Sequence, residues 1–252
     1  MKKVWDDFLT ERDKRVFGDA GYGQTSGLGA KPALLIIDVS YDFCGHKREP
    51  IEESIKTWNL SCGEEAWDAI EHTQTLIAHA RKKRIPIIYT TGFDPRPDNF
   101  DRGGWVLKNT RMKQTQGVPG FRGNDIVAEI APEPTDLLVE KLKPSAFHGT
   151  NLMTHLINLG VDSLIVTGTT TSGCVRASVV DAFSFNYRVG IVEECTFDRG
   201  EASHALALYD MRAKYADILS LTNTLDYMDT LETGIYDDKI AFAKVDEEVI
   251  TK

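Results

Sequence analysis

The sequence has little that would suit a membrane or a nucleic acid. Its longest apolar runs, such as 33–37, are much shorter than the roughly 20 residues that span a bilayer. Basic residues are outnumbered, with 29 Lys and Arg against 38 Asp and Glu, which gives a formal charge of −9. Because DNA, RNA and anionic lipids attract basic surfaces, this balance predicts neither a nucleic-acid nor a membrane partner.

Cysteine is also scarce. The four cysteines are Cys44, Cys62, Cys174 and Cys195, and no two of them have CxxC spacing. In a chain of 252 residues they therefore predict neither a disulfide framework nor a zinc-ligand pattern. The N-terminal stretch is charged throughout and lacks the apolar run of a secretory signal. We predict a cytoplasmic protein, in whose reducing surroundings a lone cysteine can remain a free thiol.

From residue 33 onward, short apolar runs alternate with amphipathic stretches. Residues 33–39 have the unbroken apolarity of a buried strand, and residues 64–84 place apolar side chains at helical spacing. The same reasoning predicts further strands at 85–91, 136–142, 161–168 and 187–194, and further helices at 154–160, 173–186 and 201–215. The alternation predicts an α/β fold, a doubly wound and mainly parallel sheet with helices on both faces in a Rossmann-like three-layer arrangement.

Three regions depart from this alternation. Residues 1–30 are polar and then glycine-rich, and we interpret them as an N-terminal arm over a single domain at 31–230. Residues 92–131 hold several prolines and glycines, Trp105 and a cluster of basic residues, a composition typical of a functional lid or a subunit contact. Residues 231–252 are predicted to be a C-terminal tail.

Cys174 stands where a predicted strand has ended and the next helix begins. A thiol in the first turn of a helix feels the positive end of the helix dipole, which is expected to lower its pKa. The unpaired N–H groups of the same turn can hold a developing oxyanion. This position suits a nucleophile of acyl transfer. Position alone leaves open a small, inert buried thiol.

Asp38 and Lys141 lie at two other predicted strand ends. In an open parallel sheet, ligands bind at the carboxyl ends of the strands. A buried carboxylate at Asp38 is expected to cap a helix, to pair with a cation or to act as an acid or base. Lys141, taken alone, is equally consistent with a lysine exposed to solvent at the end of a strand. Together with Cys174, these residues supply a base, a cation and a nucleophile from neighbouring strand ends.

Three segments resemble the signature blocks of the isochorismatase-like cysteine hydrolases. They are PALLIIDVSYDF, VEKLKPSAFHGTNL and VTGTTTSGCVRASVVDA, in the family's order and with its typical spacing. The similarity covers roughly residues 20–228. Within the family, the glycine-rich lead-in and the GCVR block are most similar to the amidohydrolases of N-carbamoylsarcosine and maleamate.

The resemblance implies a catalytic triad of Asp38, Lys141 and Cys174. It chooses Lys141 over Lys143, because the family lysine stands four residues before the serine of SAF. It further implies cysteine-dependent hydrolysis of a C–N bond, with release of ammonia through a thioester intermediate.

The resemblance also implies how the substrate is held. A cis peptide is expected before Thr170, and the N–H groups of Thr170 and Cys174 form the implied oxyanion hole. Arg199, 25 residues after the cysteine, is implied to bind a substrate carboxylate, and a surface ion pair with a neighbouring acid is the alternative. The leading substrate is then a small carboxylate-bearing ureide such as N-carbamoylsarcosine.

Other activities stay open. Maleamate and other linear amides are the next candidates as substrates, and a non-catalytic assembly or binding module on the same fold is the alternative of another class. The vinyl-ether hydrolases of the family replace the nucleophilic cysteine, so Cys174 weighs against that activity. The segment 46–63 does not match the family pattern and leaves the substrate open.

The sequence predicts no cofactor and no metal. The nicotinamidases of the family carry an Asp-x-His, whereas Val39 and Ser40 follow Asp38 here, and the six histidines show no paired ligand spacing. Relatives in this family often form tetramers, and we predict a homotetramer. The aromatic side chains of the arm and lid are compatible with such an assembly.

Overall fold

The computed structural model describes residues 2–94, 96–98, 100–108 and 118–240. The rest of the predicted lid, including 109–117, and the chain beyond residue 240 lie outside the described residues.

Six strands form one sheet in which every strand pairing is parallel. The strands are β1 (Pro32–Ile37), β2 (Ile87–Gly92), β3 (Leu137–Lys141), β4 (Ser163–Thr169), β5 (Arg188–Phe197) and β6 (Asp217–Leu219). Their order across the sheet is β3-β2-β1-β4-β5-β6. The predicted doubly wound, mainly parallel α/β fold is therefore confirmed. The sequence-based prediction missed β6, which is only three residues long.

Helices cover both faces of this sheet. In the described part of the chain they are α1 (Glu11–Asp19), α2 (Tyr41–Cys44), α3 (Ile51–Thr57), α4 (Glu64–Lys83), α5 (Trp105–Lys108), α6 (Leu152–Leu159), α7 (Arg176–Ser184), α8 (Glu201–Lys214) and α9 (Leu221–Thr230). Short 3₁₀ turns occur at Phe100–Arg102 and Ala128–Ile130, and a π-helical turn at Thr171–Val175 precedes α7.

The core has two parts because the side chains of a strand alternate between its two faces. Leu35 and Ile37 of β1 belong to the apolar cluster that includes residues of α6, α7 and α8. Leu34 and Ile36 belong to the opposite cluster, which includes residues of α4 and α9. All six residues of β1 are buried, and β1 is one of the two middle strands of the sheet, as its unbroken apolarity predicted for a buried strand.

The helix predicted at 64–84 is α4, and its sequence explains both of its ends. Glu64 and Glu65 lie in the first turn and three basic residues lie in the last, the charge order that the helix dipole favours. The helix ends at Arg84, whose left-handed φ of 55° breaks the α-helical path. Between the two ends of α4, a stripe of buried residues faces the sheet.

Both ends of the described chain pack onto the domain. The predicted arm contains α1, which begins with a capping box between Thr10 and Asp13, and its Trp5 is only 4% exposed. Near the other end, Tyr236 is fully buried and donates a hydrogen bond of 2.9 Å to the Pro32 carbonyl at the start of β1. These segments therefore complete the core of the domain.

The order of the strands creates one crevice at their carboxyl ends. From β1 the chain winds outward to β2 and β3, then returns beside β1 as β4 and winds the other way. Neighbouring strands β1 and β4 thus lead their following loops to opposite sides of the sheet. Ligands of doubly wound folds bind at this switch point. Asp38 follows β1 here, and Cys174 lies just beyond β4.

Candidate active site

A buried ion pair lies at the bottom of the crevice. Lys141 Nζ is 2.7 Å from Asp38 Oδ2, and the two side chains are 5% and 3% exposed. The Thr90 hydroxyl donates a hydrogen bond of 2.8 Å to Asp38 Oδ1. The Asp38 carboxylate therefore has a partner for each oxygen, as a charge at this depth requires.

The last residue of β3 supplies the lysine. Lys141 Nζ also donates to the carbonyl of Lys143, at 3.2 Å. Burial lowers the pKa of Lys141, but the Asp38 carboxylate and the Cys174 sulfur outweigh burial and raise it above its ordinary value. Lys141 is thus a permanent cation beside the thiol at neutral pH.

The strand end that carries Asp38 has unusual backbone geometry. Asp38 has a left-handed φ of 54°, which aspartate tolerates better than most side chains. Beside it, Gly168 of β4 has a φ of 97°, and a Cβ there would lie 2.1 Å from the Ile37 carbonyl oxygen. The absence of a side chain at Gly168 thus allows β4 to approach β1 at the site.

Cys174 lies in the π-helical turn between β4 and α7. The N–H groups of Gly173 and Val175 both donate to the Thr170 carbonyl, at 2.9 and 3.2 Å. The Thr169–Thr170 peptide is cis, as the family resemblance implied. The N–H of Thr170 has no backbone acceptor among the described residues. Its place in an oxyanion hole stays a prediction.

Side chains from the next loop and from α8 hold this turn. One oxygen of Asp198 accepts from both the N–H and the hydroxyl of Ser172, at 2.8 and 2.7 Å. The Thr171 hydroxyl lies 2.8 Å from His204 Nδ1. Burial lowers the pKa of His204, although the charge of Asp198 opposes this shift. The lowered pKa favours a neutral imidazole. These supporting contacts could not be predicted from the sequence, because the partners are distant along the chain.

The protonation state of Cys174 differs from the sequence-based expectation. Burial, and after it the charge of Asp38, raise the pKa of Cys174 to about 12, although Lys141 lowers it. The helix-dipole argument predicted a lowered pKa and is wrong in direction. The thiol lies in a π-helical turn before α7 and next to a carboxylate, and both desolvation and that negative charge disfavour the thiolate.

A cavity of about 220 Å³ opens onto the three residues. Its walls include Phe43, Leu60, Phe93 and Trp105, together with charged residues from the lid and from the segment after β3. This volume lies below the roughly 300–1,000 Å³ of pockets for drug-sized ligands. The site therefore suits a small molecule.

Arg199 does not line this cavity. Its guanidinium donates a hydrogen bond to the Leu60 carbonyl and lies over the Phe43 ring, 5.5 Å from the ring centre. Leu60 and Phe43 do line the cavity, so Arg199 contacts two of its wall residues. The alternative of a surface ion pair is not observed among the described residues. A carboxylate-binding role for Arg199 stays a prediction.

The unmatched segment 46–63 contributes to the site through Leu60. It contains α3, and the Trp58 indole donates to His46 Nδ1 at 3.0 Å. No periodicity or motif marks Leu60 in the sequence. Only the folded chain brings this residue to the cavity.

The described residues offer no metal-ligand cluster and no membrane-spanning helix. No group of three or more His, Cys, Asp or Glu side chains there is arranged to hold a metal ion. None of the described helices combines the length and apolarity needed to cross a membrane.

Comparison with known families now decides the family. The model of the isochorismatase domain matches residues 32–223, which include all three residues of the buried site. The chain belongs to the isochorismatase family. The family predicted from the three sequence blocks is confirmed.

Relatives within the family are named for amide hydrolysis. The chain is 30% identical over 210 residues to the maleamate amidohydrolase of Pseudomonas putida, covering 82% of this chain and 91% of that protein. It is 31% identical over 229 residues to the N-carbamoylsarcosine amidase of an Arthrobacter species, covering 88% and 80%. The prediction of an amide-hydrolysing enzyme is thereby confirmed at the level of reaction class.

The fold itself recurs in solved structures. A cysteine hydrolase from Pseudomonas syringae pv. phaseolicola superposes with a TM-score of 0.69, at 20% identity, covering 83% of this chain and 97% of that one. At this identity the likeness shows the shared fold of the isochorismatase-family enzyme.

Proposed function

We propose that this isochorismatase-family enzyme hydrolyses the C–N bond of a small carboxylate-bearing ureide, such as N-carbamoylsarcosine, and releases ammonia. The observation that carries the proposal is the buried Asp38–Lys141 pair beside the Cys174 thiol, at the end of a cavity of about 220 Å³. Similarity to an N-carbamoylsarcosine amidase over 88% of the chain supports the choice of substrate. Maleamate is the second candidate, with similar support over 82% of the chain.

The reaction begins with a protonated thiol, because the pKa of Cys174 is about 12. Asp38 takes the proton from Sγ as the sulfur attacks the carbonyl carbon. Lys141 stabilises the negative charge that develops on the sulfur during this step. The N–H groups of Thr170 and Cys174 bind the oxyanion of the tetrahedral intermediate. A resting thiol therefore needs the neighbouring carboxylate as its base.

The intermediate then collapses. Asp38 returns its proton to the departing nitrogen, so ammonia leaves and a thioester (a thiocarbamate for a ureide) remains on Cys174. Water attacks this group while Asp38 accepts a proton, and the Sγ–C bond breaks as that proton returns to sulfur. One water is consumed and the enzyme recovers its starting state.

The test is ammonia release from a panel of N-carbamoylsarcosine, maleamate and uncharged small amides, with Cys174→Ala as the control. We expect release from the ureide by the natural enzyme and none by the variant. Release from maleamate alone would keep the mechanism and replace the substrate. Equal release by the Cys174→Ala variant would disprove the thiol mechanism.

A non-catalytic module on the same fold is the competing proposal. It predicts a mispaired triad and a thiol that packing shields from solvent. The 2.7 Å contact between Asp38 and Lys141 and the position of Cys174 on the cavity wall favour the enzyme. An intact, folded protein that releases no ammonia from any panel member would favour the module.

We also propose that the enzyme acts in the cytoplasm as a homotetramer. All four cysteines are free thiols, which suits a reducing compartment.

A further inference from the structure

One carboxylate outside the proposed triad joins two parts of the site. Asp198 directly follows β5, and each of its oxygens accepts hydrogen bonds from a different segment. Its Oδ2 accepts from the N–H and the hydroxyl of Ser172, at 2.8 and 2.7 Å. Its Oδ1 accepts from the N–H of Arg199, at 2.8 Å. The proposed chemistry assigns no role to this carboxylate.

The contact with Ser172 holds the turn that carries the nucleophile. Ser172 lies in the π-helical turn Thr171–Val175, two residues before Cys174. Such turns are rare in proteins and occur frequently at functional sites. On the side of α8, His204 lies 2.8 Å from the Thr171 hydroxyl. Two side chains from outside the turn, Asp198 and His204, therefore hold the backbone that carries the thiol.

The contact with Arg199 links the same carboxylate to the cavity wall. The Arg199 guanidinium donates a hydrogen bond to the Leu60 carbonyl and lies over the Phe43 ring. Leu60 and Phe43 both line the cavity. Hydrogen bonds through Asp198 and Arg199 thus connect the nucleophile turn to the segment 46–63.

We infer that Asp198 is a positioning residue for Cys174, because it fixes the nucleophile turn relative to the cavity wall. The inference rests on the proposed function and deepens it, since it names a residue that acts on the reaction through the backbone of the nucleophile. An asparagine side chain has one carboxamide oxygen in place of two carboxylate oxygens. Asp198→Asn therefore loses the contact with Ser172 or the contact with Arg199.

The first measurement is steady-state hydrolysis of the ureide or amide that the natural enzyme turns over. Because the turn places the thiol for attack, Asp198→Asn should lower kcat about tenfold, the scale of one lost charge-assisted hydrogen bond. KM should change less than about threefold, since the substrate is not contacted by this residue.

Ser172→Ala tests whether Asp198 acts through the turn. This variant removes the hydroxyl that Asp198 accepts from, keeps the charge of the carboxylate and should lower kcat by a smaller factor. If both residues act through one contact, the double variant matches Asp198→Asn within about twofold, whereas independent effects multiply.

The second measurement needs no substrate. The rate of iodoacetamide labelling of Cys174 at pH 8 depends on the distances from its sulfur to Asp38 and Lys141, whose charges act on the thiol. Asp198→Asn should change this rate at least about threefold, because the turn that carries the sulfur is released. Circular dichroism checks that each variant is folded.

Asp217→Asn is the matched control. Asp217 accepts from the N–H and the hydroxyl of Ser26 and from the N–H of Gly27, at 3.1, 3.3 and 2.7 Å. It begins β6, at the opposite end of the sheet from the crevice, and does not line the cavity. Asp217→Asn should therefore lower the free energy of unfolding and leave kcat and the labelling rate unchanged.

The inference is overturned if Asp217→Asn alters kcat and labelling as much as Asp198→Asn does. It is also overturned if Asp198→Asn leaves labelling unchanged, or if the effects of Asp198→Asn and Ser172→Ala on kcat multiply. The proposed function is judged separately, by ammonia release from the natural enzyme. Without such release the amidase is refuted, and the labelling rates alone decide whether Asp198 positions the thiol.

Discussion

Asp38 has two opposing effects on Cys174. In the proposed mechanism it is the base that accepts the thiol proton, and its negative charge also raises the pKa of that thiol. Lys141 acts in the other direction and lowers the pKa of Cys174. Substitutions at Asp38 and Lys141 therefore need not change the rate of hydrolysis and the thiolate fraction of the resting enzyme in the same direction.

This opposition predicts the alkylation behaviour of Cys174. Asp38→Asn removes the charge that raises the thiol pKa, so the thiolate fraction at pH 8 increases about tenfold per unit of lost pKa, while hydrolysis is abolished. Lys141→Met removes the charge that lowers the thiol pKa and should slow alkylation. The measurement is the rate of iodoacetamide labelling of Cys174, with circular dichroism as the check on folding.

The natural enzyme provides the reference curve for this experiment. Because the pKa of Cys174 is about 12, its labelling rate should rise with pH across the range 7 to 9 without reaching a plateau. A plateau below pH 8 would contradict the raised pKa of Cys174. Slower labelling in Asp38→Asn would contradict the conclusion that the Asp38 charge raises this pKa.

At the scale of elements, the contact between β1 and β4 depends on Gly168. Gly168→Ala would place a Cβ against the Ile37 backbone at a φ of 97°, and backbone atoms of a central strand have nowhere to move. We expect a loss of at least about 3 kcal/mol in the free energy of unfolding, from backbone strain and overpacking together. Urea denaturation measures this loss.

Gly149→Ala is the matched control for that substitution. Gly149 has a φ of 73°, and a Cβ there would meet no atom within 4 Å. It should therefore show only the cost of the left-handed backbone, about 1–2 kcal/mol. Equal losses in the two variants would show that the close approach of β4 to β1 is unimportant.

At the scale of the whole molecule, the segment after α9 is part of the core. Tyr236 fills a fully buried position and its hydroxyl bonds the Pro32 carbonyl. Tyr236→Ala should lower the free energy of unfolding by about 3–5 kcal/mol, through the loss of a large aromatic side chain. Tyr236→Phe keeps the ring and leaves the Pro32 carbonyl without this donor, at a cost of about 1–3 kcal/mol. Thermal or urea unfolding in which Tyr236→Ala is neutral would contradict this assignment.

The predicted homotetramer belongs to the same scale. Several aromatic residues of the arm and lid already have partners within the chain, since Trp5 and Phe17 contact Tyr209 and Phe121 contacts Tyr41. We expect sedimentation equilibrium to give four times the 28.1 kDa of one chain. A single species of one-chain mass would disprove the tetramer.

The sequence by itself determined five of the six strands and the helices α4, α6, α7 and α8, together with the three strand-end residues. Unbroken apolarity identified the buried strand β1, and helical spacing identified α4. Because parallel strands end at one edge of a sheet, Asp38, Lys141 and Cys174 could be grouped before any coordinates were known. The local sequence pattern is sufficient to predict these features, because each depends only on neighbouring residues or on a general rule of sheet topology.

Only the tertiary structure decided the environment of these residues. Burial and the contact with Asp38 raise the pKa of Cys174, against the local expectation from the helix dipole. The fold also lines the cavity with Leu60, Arg102 and Lys143, and brings Arg199 against the Leu60 carbonyl. Desolvation and charge pairing depend on groups that are distant along the chain, so no local sequence pattern encodes them.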